Sequence, residues 1–159
     1  MKQNWILVLL LLLCLAGCGT GGTTQEETGF SFTYKEIQIP LAGDAALVVA
    51  ALGEPKGYTE EASCAFDGLD KTYYYGSFYL TTCPMEEGDR VYSLWFADDT
   101  VSTEEGVRIG SSRADVEQAY GAEYFNGVNA FVVTRGNTKL TVVLTDGAVS
   151  SVLYEAVME

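Results

Sequence analysis

Two stretches of this chain match each other, and this self-similarity constrains the fold more than any other feature. They cover residues 39–53 and 107–121, 68 positions apart. In each, alternating apolar residues lead to a polar residue, Asp44 or Ser112, that can cap the first free amides of a helix. A short segment with helical periodicity follows, and a glycine then stops it. We therefore expect two short helices, one directly after each capping residue.

Helices this short are not stable alone, so the chain must supply a sheet for them. The segments after the second helix alternate apolar and polar residues, as half-buried strands do. The dipeptide Asp146-Gly147 between two of them is a strong signal for a two-residue hairpin. We predict strands over 129–134, 139–145 and 148–154, and over 90–97 and 100–103 in the first half.

The predicted fold class is α+β. Matched segments in the same order indicate an internal duplication, the alternative being coincidence among common elements of α+β proteins. We expect two tandem repeats, each a helix on an antiparallel sheet, with both helices on one face of the sheet. The first repeat takes residues 37–106 and the second residues 107–159. The first is longer, and its extra length lies between Gly53 and Arg90.

This arrangement is similar to the tandem-repeat β-lactamase inhibitor proteins. It also resembles the small outer-membrane lipoproteins of the SmpA/OmlA type, which have one such unit. The resemblance lies in the glycine-ended helices, in Val-x-Ile-Gly-x-Ser over 107–112 and in Leu-Thr-Val-Val-Leu-Thr-Asp-Gly-x-Val over 140–149. It covers residues 37–154 and implies, from the inhibitor proteins, inhibition of a secreted or envelope enzyme.

The start of the chain has the form of a targeting segment. Lys2 precedes an apolar run from Trp5 to Ala16, which is shorter than the ~20 residues that a membrane-spanning helix needs. The run ends in Leu-Ala-Gly-Cys at Cys18, which resembles the lipobox of a bacterial lipoprotein signal peptide. The resemblance implies that residues 1–17 are removed and that Cys18 carries a diacylglyceryl group. Stable anchoring takes more than one acyl chain, and diacylation supplies this. The expected location is the extracytoplasmic side of a cell membrane; the alternative is an uncleaved N-terminal anchor.

Composition and charge limit the partners. Residues 18–36 are expected to be the lipidated cysteine and a flexible tether, because residues 19–29 are rich in Gly and Thr and have no large apolar side chain. Without residues 1–17 the chain keeps 8 of its 9 Lys and Arg and all 22 Asp and Glu, a balance of 8 − 22 = −14. This charge excludes nucleic acid, which needs a basic surface. It indicates a solvated acidic surface, or else a charged partner surface or weak cation binding.

Two cysteines remain as possible partners for a disulfide. Outside the cytoplasm an even pair usually oxidises, so Cys64 and Cys83 are predicted to bond. The bridge would close a loop of about twenty residues and stabilise the fold by roughly 3 kcal/mol. The alternative is two free buried thiols. A C-x-x-C redox motif is absent from the sequence.

Aromatic residues predict a binding surface on the open face of the sheet. Strand alternation points Trp95 away from the helices, and exposed aromatic side chains often mark binding sites. Tyr73, Tyr75 and Tyr79 lie close in sequence, and part of this cluster must share the face with Trp95. These four residues are the candidate binding residues, with an envelope protein or polymer as the partner. Alternatively, a second layer, or the inserted segment between Gly53 and Arg90 that the disulfide would brace, covers the rings.

Catalysis finds little support in the sequence. The chain has no histidine, which removes His-based triads, most zinc sites and the commonest general base at neutral pH. A Gly-x-Ser-x-Gly nucleophile motif is also missing. We expect no enzymatic activity, no cofactor and no metal site. The sequence favours a membrane-tethered binding or scaffold module, with inhibition of a secreted or envelope enzyme as the alternative.

Overall fold

An eight-stranded antiparallel sheet dominates the computed structural model, which describes residues 29–127 and 129–158. The helices and strands, in chain order, are β1 (Ser31–Tyr34), β2 (Ile37–Pro40), α1 (Ala45–Leu52), β3 (Gly57–Ala62), β4 (Leu69–Tyr74), β5 (Phe78–Cys83), β6 (Arg90–Phe96), α2 (Arg113–Tyr120), a 3-10 turn (Ala122–Tyr124), β7 (Phe125–Asn126), β8 (Ala130–Arg135), β9 (Thr138–Thr145) and β10 (Ala148–Ala156).

The strand order in the large sheet is β3-β4-β5-β6-β10-β9-β8-β7. Neighbours in the chain pair as hairpins on each side of the sheet, and β6 and β10 join the two sides. Leu94 lies opposite Tyr154 and Trp95 opposite Leu153 at this central junction. β1 and β2 form a separate two-stranded hairpin. The β6–β10 pairing therefore connects residues that are distant in sequence and merges both halves of the chain into one sheet.

One face of the large sheet carries the core. Leu94, Phe96, Val142 and Tyr154 are at most 1% exposed on it. The β1–β2 hairpin packs over these residues through Phe32, whose ring centroid lies 5.3 Å from that of Phe96. Burial of such large side chains contributes about 1.5–3 kcal/mol each. The hairpin is therefore part of the folded body.

Both helices begin and end where the sequence predicts. The Asp44 carboxylate accepts a hydrogen bond from the Leu47 amide at 3.1 Å and caps α1. Ser112 and Asp115 form a reciprocal capping box at the start of α2. Each helix is short and buries few side chains, including Val48 in α1. The helices therefore add only a few side chains to the core.

The predicted fold class is wrong. The molecule is mostly β. Its described residues form two eight-residue α-helices, one eight-stranded sheet and a separate two-stranded hairpin, and not two tandem helix-plus-sheet repeats. Residues 57–83, treated as extra length in a repeat, form three strands of that sheet. Residues 100–103, predicted as a strand, are irregular. Local capping and turn signals identify short elements, but the distant β6–β10 pairing unites them.

The predicted tether extends too far along the chain. Phe30 is 6% exposed and Phe32 1%, so residues 30–36 belong to the body and not to a flexible linker. The expected signal peptide over 1–17, the lipidation site Cys18 and the rest of the tether up to residue 28 lie outside the described residues. Over the described ranges, every helix is too short or too polar to span a bilayer.

The structure does not join Cys64 to Cys83. Both cysteines are free: Cys64 is exposed in the loop after β3, and Cys83 is buried at the end of β5. Burial raises the pKa of the Cys83 thiol. The two side chains therefore lie in different surroundings.

Candidate functional site

Three aromatic side chains form a row on the face of the large sheet opposite the core. The strand register places Tyr74 of β4 opposite Tyr79 of β5, and Tyr79 opposite Trp95 of β6. The centroids of the Tyr74 and Tyr79 rings are 4.7 Å apart, and those of Tyr79 and Trp95 are 5.6 Å apart. Both pairs are stacked with planes inclined by 26°. We call Tyr74, Tyr79 and Trp95 the aromatic row.

Trp95 lies at the middle of the sheet and is 49% exposed, although it is the largest type of apolar side chain. Its indole Nε1 donates a hydrogen bond to Ser151 Oγ of β10 at 3.1 Å. Leu153, directly opposite Trp95 on β10, continues the row with a half-buried aliphatic side chain. The indole is therefore held in place on one side and open to a partner on the other.

A shallow groove runs beside the aromatic row. Its floor is made of small hydroxyl side chains, because Thr72, Thr81 and Ser93 lie opposite one another on β4, β5 and β6. The Thr72 and Thr81 hydroxyls are 3.1 Å apart and hydrogen-bonded. The groove has a volume of about 400 Å³ and is lined by Thr72, Tyr79, Thr81, Ser93, Trp95, Ser151 and Leu153.

The rows of the sheet that flank the aromatic row carry almost no net charge. The register places one cation and one anion in the rows that flank the aromatic row, Lys139 and Glu155, and their charged groups pair at 2.8 Å. The whole chain has a net charge of −13. The acidic residues of this protein are therefore concentrated outside this part of the open face.

The structure brings together two of the four residues predicted for the site. Trp95 and Tyr79 share the open face, as the sequence predicts for Trp95. Tyr75 is 7% exposed in the core, where its ring stacks on Phe78. Tyr73 also lies on the core side of the sheet, with its ring centroid 5.2 Å from that of Tyr58. Tyr73 and Tyr75 are therefore not part of the aromatic row.

Tyr74 is the site residue that the sequence analysis missed. The signal was the turn Gly76-Ser77, which joins β4 and β5: the Tyr75 amide donates to the Phe78 carbonyl at 3.0 Å, and Gly76 has a φ of 96°. A two-residue turn pairs the residues on either side of it, so the next pair outward is Tyr74 with Tyr79. This count along the hairpin fixes which tyrosine shares the face with Tyr79.

A second cleft lies near the β1–β2 hairpin, and two of its charged groups, Glu105 and Arg135, already pair with each other. It measures about 540 Å³. The Tyr120 hydroxyl donates to Glu105 Oε2 at 2.7 Å, and Arg135 Nη1 donates to Glu105 Oε1 at 3.1 Å. The Arg135 guanidinium also lies 4.5 Å from the centre of the Phe30 ring. These contacts fasten the loop before α2 to Arg135 of β8 and to Tyr120 of α2.

Acid–base or metal chemistry has no evident centre in the described ranges. Burial raises the pKa of Tyr75, Tyr120 and Tyr154, so these phenols stay protonated and are not poised as bases. Within 29–127 and 129–158, no group of three or more Cys, Asp or Glu side chains is placed to hold a metal ion. The chemistry that the site offers is contact and hydrogen bonding.

Comparison with protein-family models, with curated proteins and with solved structures found no match to this chain.

Proposed function

We propose that this protein is a lipid-anchored, extracytoplasmic binding or scaffold module that holds its partner on the open face of its sheet. The observation that carries the proposal is Trp95, half-exposed at the centre of the sheet within a stacked row of aromatic rings. Tryptophan and tyrosine are the side chains that most often dominate binding energy. Exposed apolar side chains that adjoin one another on a surface, unlike single scattered ones, often mark a binding site.

The arrangement of the sheet supports the same proposal. The core, the two helices and the β1–β2 hairpin occupy one face, which leaves the other face available over its central strands. The aromatic row lies on these strands, and hydrogen bonds of the sheet hold its backbone. A site on strands is presented rigidly, so binding requires little ordering of the protein.

Location is the other half of the proposal. It is supported by the lipobox-like Leu-Ala-Gly-Cys motif at residues 15–18 and by the Gly- and Thr-rich segment after it. The direct experiment is to fractionate cells that express the chain with and without Cys18→Ala. We expect the original chain in the membrane fraction and the variant in the soluble fraction. Unchanged membrane retention of the variant would refute the lipid anchor.

The binding half is tested by capturing partners from an envelope extract with the immobilised protein. Trp95→Ala and Tyr79→Ala should remove the captured partner. Tyr58→Ala is the matched control, because Tyr58 is also 49% exposed but its ring packs with Tyr73 on the other side of the sheet. If the aromatic-row variants and the control capture the same set, the proposed site is wrong. If the captured partner is an enzyme whose activity falls on binding, the module is an inhibitor.

A further inference from the structure

We infer that the partner of the open face is an uncharged, hydroxyl-rich polysaccharide strand, which lies in the groove beside Trp95. This inference rests on the proposed function and names the chemistry of the ligand at the same site. It depends on three features of the groove: its hydroxyl groups, its aromatic wall and its lack of net charge.

The groove is richer in hydroxyl groups than a typical protein-binding centre. Four of its seven lining residues are serine or threonine. Each hydroxyl both donates and accepts a hydrogen bond and rotates to suit its partner, which matches the mixed donors and acceptors of sugar hydroxyls. Serine and threonine are under-represented among the residues that dominate protein–protein binding, so the floor favours a sugar chain over a protein.

The wall of the groove supplies the complementary apolar surface. A pyranose ring presents C–H groups on its faces and hydroxyl groups around its edge. Aromatic side chains with a polar tip, such as Trp95 and Tyr79, offer an apolar surface to those C–H groups and a hydrogen-bonding group beside it. The aliphatic side chain of Leu153 borders the same groove. A sugar chain seated here would contact rings on one side and hydroxyl groups below.

Charge argues against the other occupants. An anionic polymer would need free cations along the groove, but the one cation in the rows that flank the aromatic row, Lys139, is already paired with Glu155. A cationic partner would find no unpaired carboxylate in the rows that flank the aromatic row. A second copy of this chain would bring together two molecules that each carry a net charge of −13, which opposes association. The neutral groove on an acidic body matches a neutral ligand.

The shape of the groove fits a chain better than an enclosed small molecule. Its lining residues come from β4, β5, β6 and β10, which are neighbours in the sheet. Three intervals between strands at about 4.8 Å each give the groove a length of about 14 Å. A ligand seated in the groove would therefore lie across the strands.

The test is calorimetric titration of the full-length chain in detergent with defined probes. The neutral probes are chitohexaose, cellohexaose and maltohexaose, and the charged probes are polygalacturonate and decalysine. We expect at least one neutral oligosaccharide to bind, with an affinity that is unchanged when the salt rises from about 0.05 M to about 0.5 M, because no charges are involved. Trp95→Ala should weaken binding at least tenfold, and Tyr58→Ala should leave it unchanged.

A second variant separates a sugar site from a general apolar patch. Thr81→Val keeps the shape of the side chain but removes the hydroxyl from the groove floor, and it should weaken oligosaccharide binding several-fold. Circular dichroism establishes that each variant is folded. The inference is overturned if none of the three neutral oligosaccharides binds at about 10 mM, or if a charged probe alone binds and salt abolishes that binding.

The two proposals fail in distinguishable ways. If a protein is captured from the envelope extract, its capture requires Trp95, and no oligosaccharide binds, then the proposed binding module is supported and the polysaccharide inference is wrong. If Trp95→Ala changes neither capture nor titration, both are wrong.

Discussion

The rings of Tyr79 and Trp95 stack directly across β5 and β6, with centroids 5.6 Å apart and planes inclined by 26°. Tyr74 extends the stack on β4. The side chains of the candidate site are therefore also cross-strand pairs, and such pairs contribute roughly 0.2–1 kcal/mol to sheet stability. Binding and stability share these residues, so a loss of binding in a variant must be separated from a loss of fold.

A double-mutant cycle measures how much the contact between Tyr79 and Trp95 contributes to stability. Tyr79→Ala, Trp95→Ala and the double variant are compared by urea unfolding, and we expect a coupling of about 0.5–1.5 kcal/mol from the stacked rings. The same cycle for Tyr58 and Trp95, whose side chains lie on opposite faces, is the control and should show additive effects. A coupling near zero for Tyr79 and Trp95 would mean that the stack does not persist in solution.

Neighbouring tyrosines should behave in opposite ways. Tyr75 is buried against Phe78, so Tyr75→Ala should lower the free energy of unfolding by about 3–5 kcal/mol, as for other large-to-small core substitutions. Tyr74→Ala removes a half-buried ring from the open face and should cost about 1 kcal/mol or less. The effect of the two variants on partner capture should have the reverse order. Tyr74→Ala should reduce capture although the variant remains fully folded.

The Tyr75 hydroxyl supplies an internal control for this comparison. It is buried and has no hydrogen-bond partner among the described residues. Tyr75→Phe should therefore leave the unfolding free energy unchanged or raise it slightly, because the desolvated hydroxyl contributes no bond. If Tyr75→Phe lowered the free energy of unfolding by more than about 1 kcal/mol, this would contradict the placement of the Tyr75 hydroxyl without a hydrogen-bond partner.

Local signals were enough to locate much of the secondary structure. The caps at Asp44 and Ser112 set the starts of both helices, and the Asp146-Gly147 turn set the β9–β10 hairpin, because these signals act over two to four residues. Strand alternation placed Trp95 on the open face for the same reason. It did not fix the phase of the tyrosine cluster, which depends on counting outward from the Gly76-Ser77 turn.

The fold class was not predictable from the same signals. The pairing of β6 with β10 brings Leu94 beside Tyr154, and neither strand carries a local mark of its distant partner. Phe32 lies just after a Gly- and Thr-rich segment, and composition alone assigned it to the tether. Its burial depends on the hydrophobic surface that the completed sheet offers. Both errors, the fold class and the assignment of Phe32 to the tether, thus concern contacts between residues that are distant in sequence.

Phe32→Ala tests whether the β1–β2 hairpin belongs to the core. The ring is 1% exposed, and its centroid lies 5.3 Å from those of Phe78 and Phe96. We expect the free energy of unfolding to fall by about 3–5 kcal/mol in urea titrations. Thr33→Ala, an exposed neighbour in the same strand, is the control and should change it by less than about 0.5 kcal/mol. If the two variants were equally stable, the β1–β2 hairpin would be part of the tether and not of the core.

The two cysteines should react with thiol reagents at different rates. In the chain carrying Cys14→Ser and Cys18→Ala, exposed Cys64 should react quickly. Buried Cys83 should react only after unfolding, because burial both shields the thiol and raises its pKa. The number of thiols that react with the reagent should therefore be one per chain in the native protein and two in denaturant. If neither thiol reacts without a reductant, the disulfide predicted from the sequence forms.

The capping box of α2 should make part of the stability depend on pH. Hydrogen bonds from the Ser112 hydroxyl and backbone amide hold the pKa of Asp115 below its ordinary value of 3.8. A carboxyl whose pKa is lowered by folding stabilises the protein at pH values above the ordinary pKa, and this contribution is lost as the pH falls through the folded value. Wild type should therefore have a higher Tm than Asp115→Asn at pH 7, and the difference should shrink as the pH falls below 3.8 and through the lowered pKa of Asp115. Ser112→Ala, which removes one of the two donors, should show a smaller pH-dependent difference from Asp115→Asn. A Tm gap between wild type and Asp115→Asn that stays constant across this range would show that the carboxylate does not cap the helix.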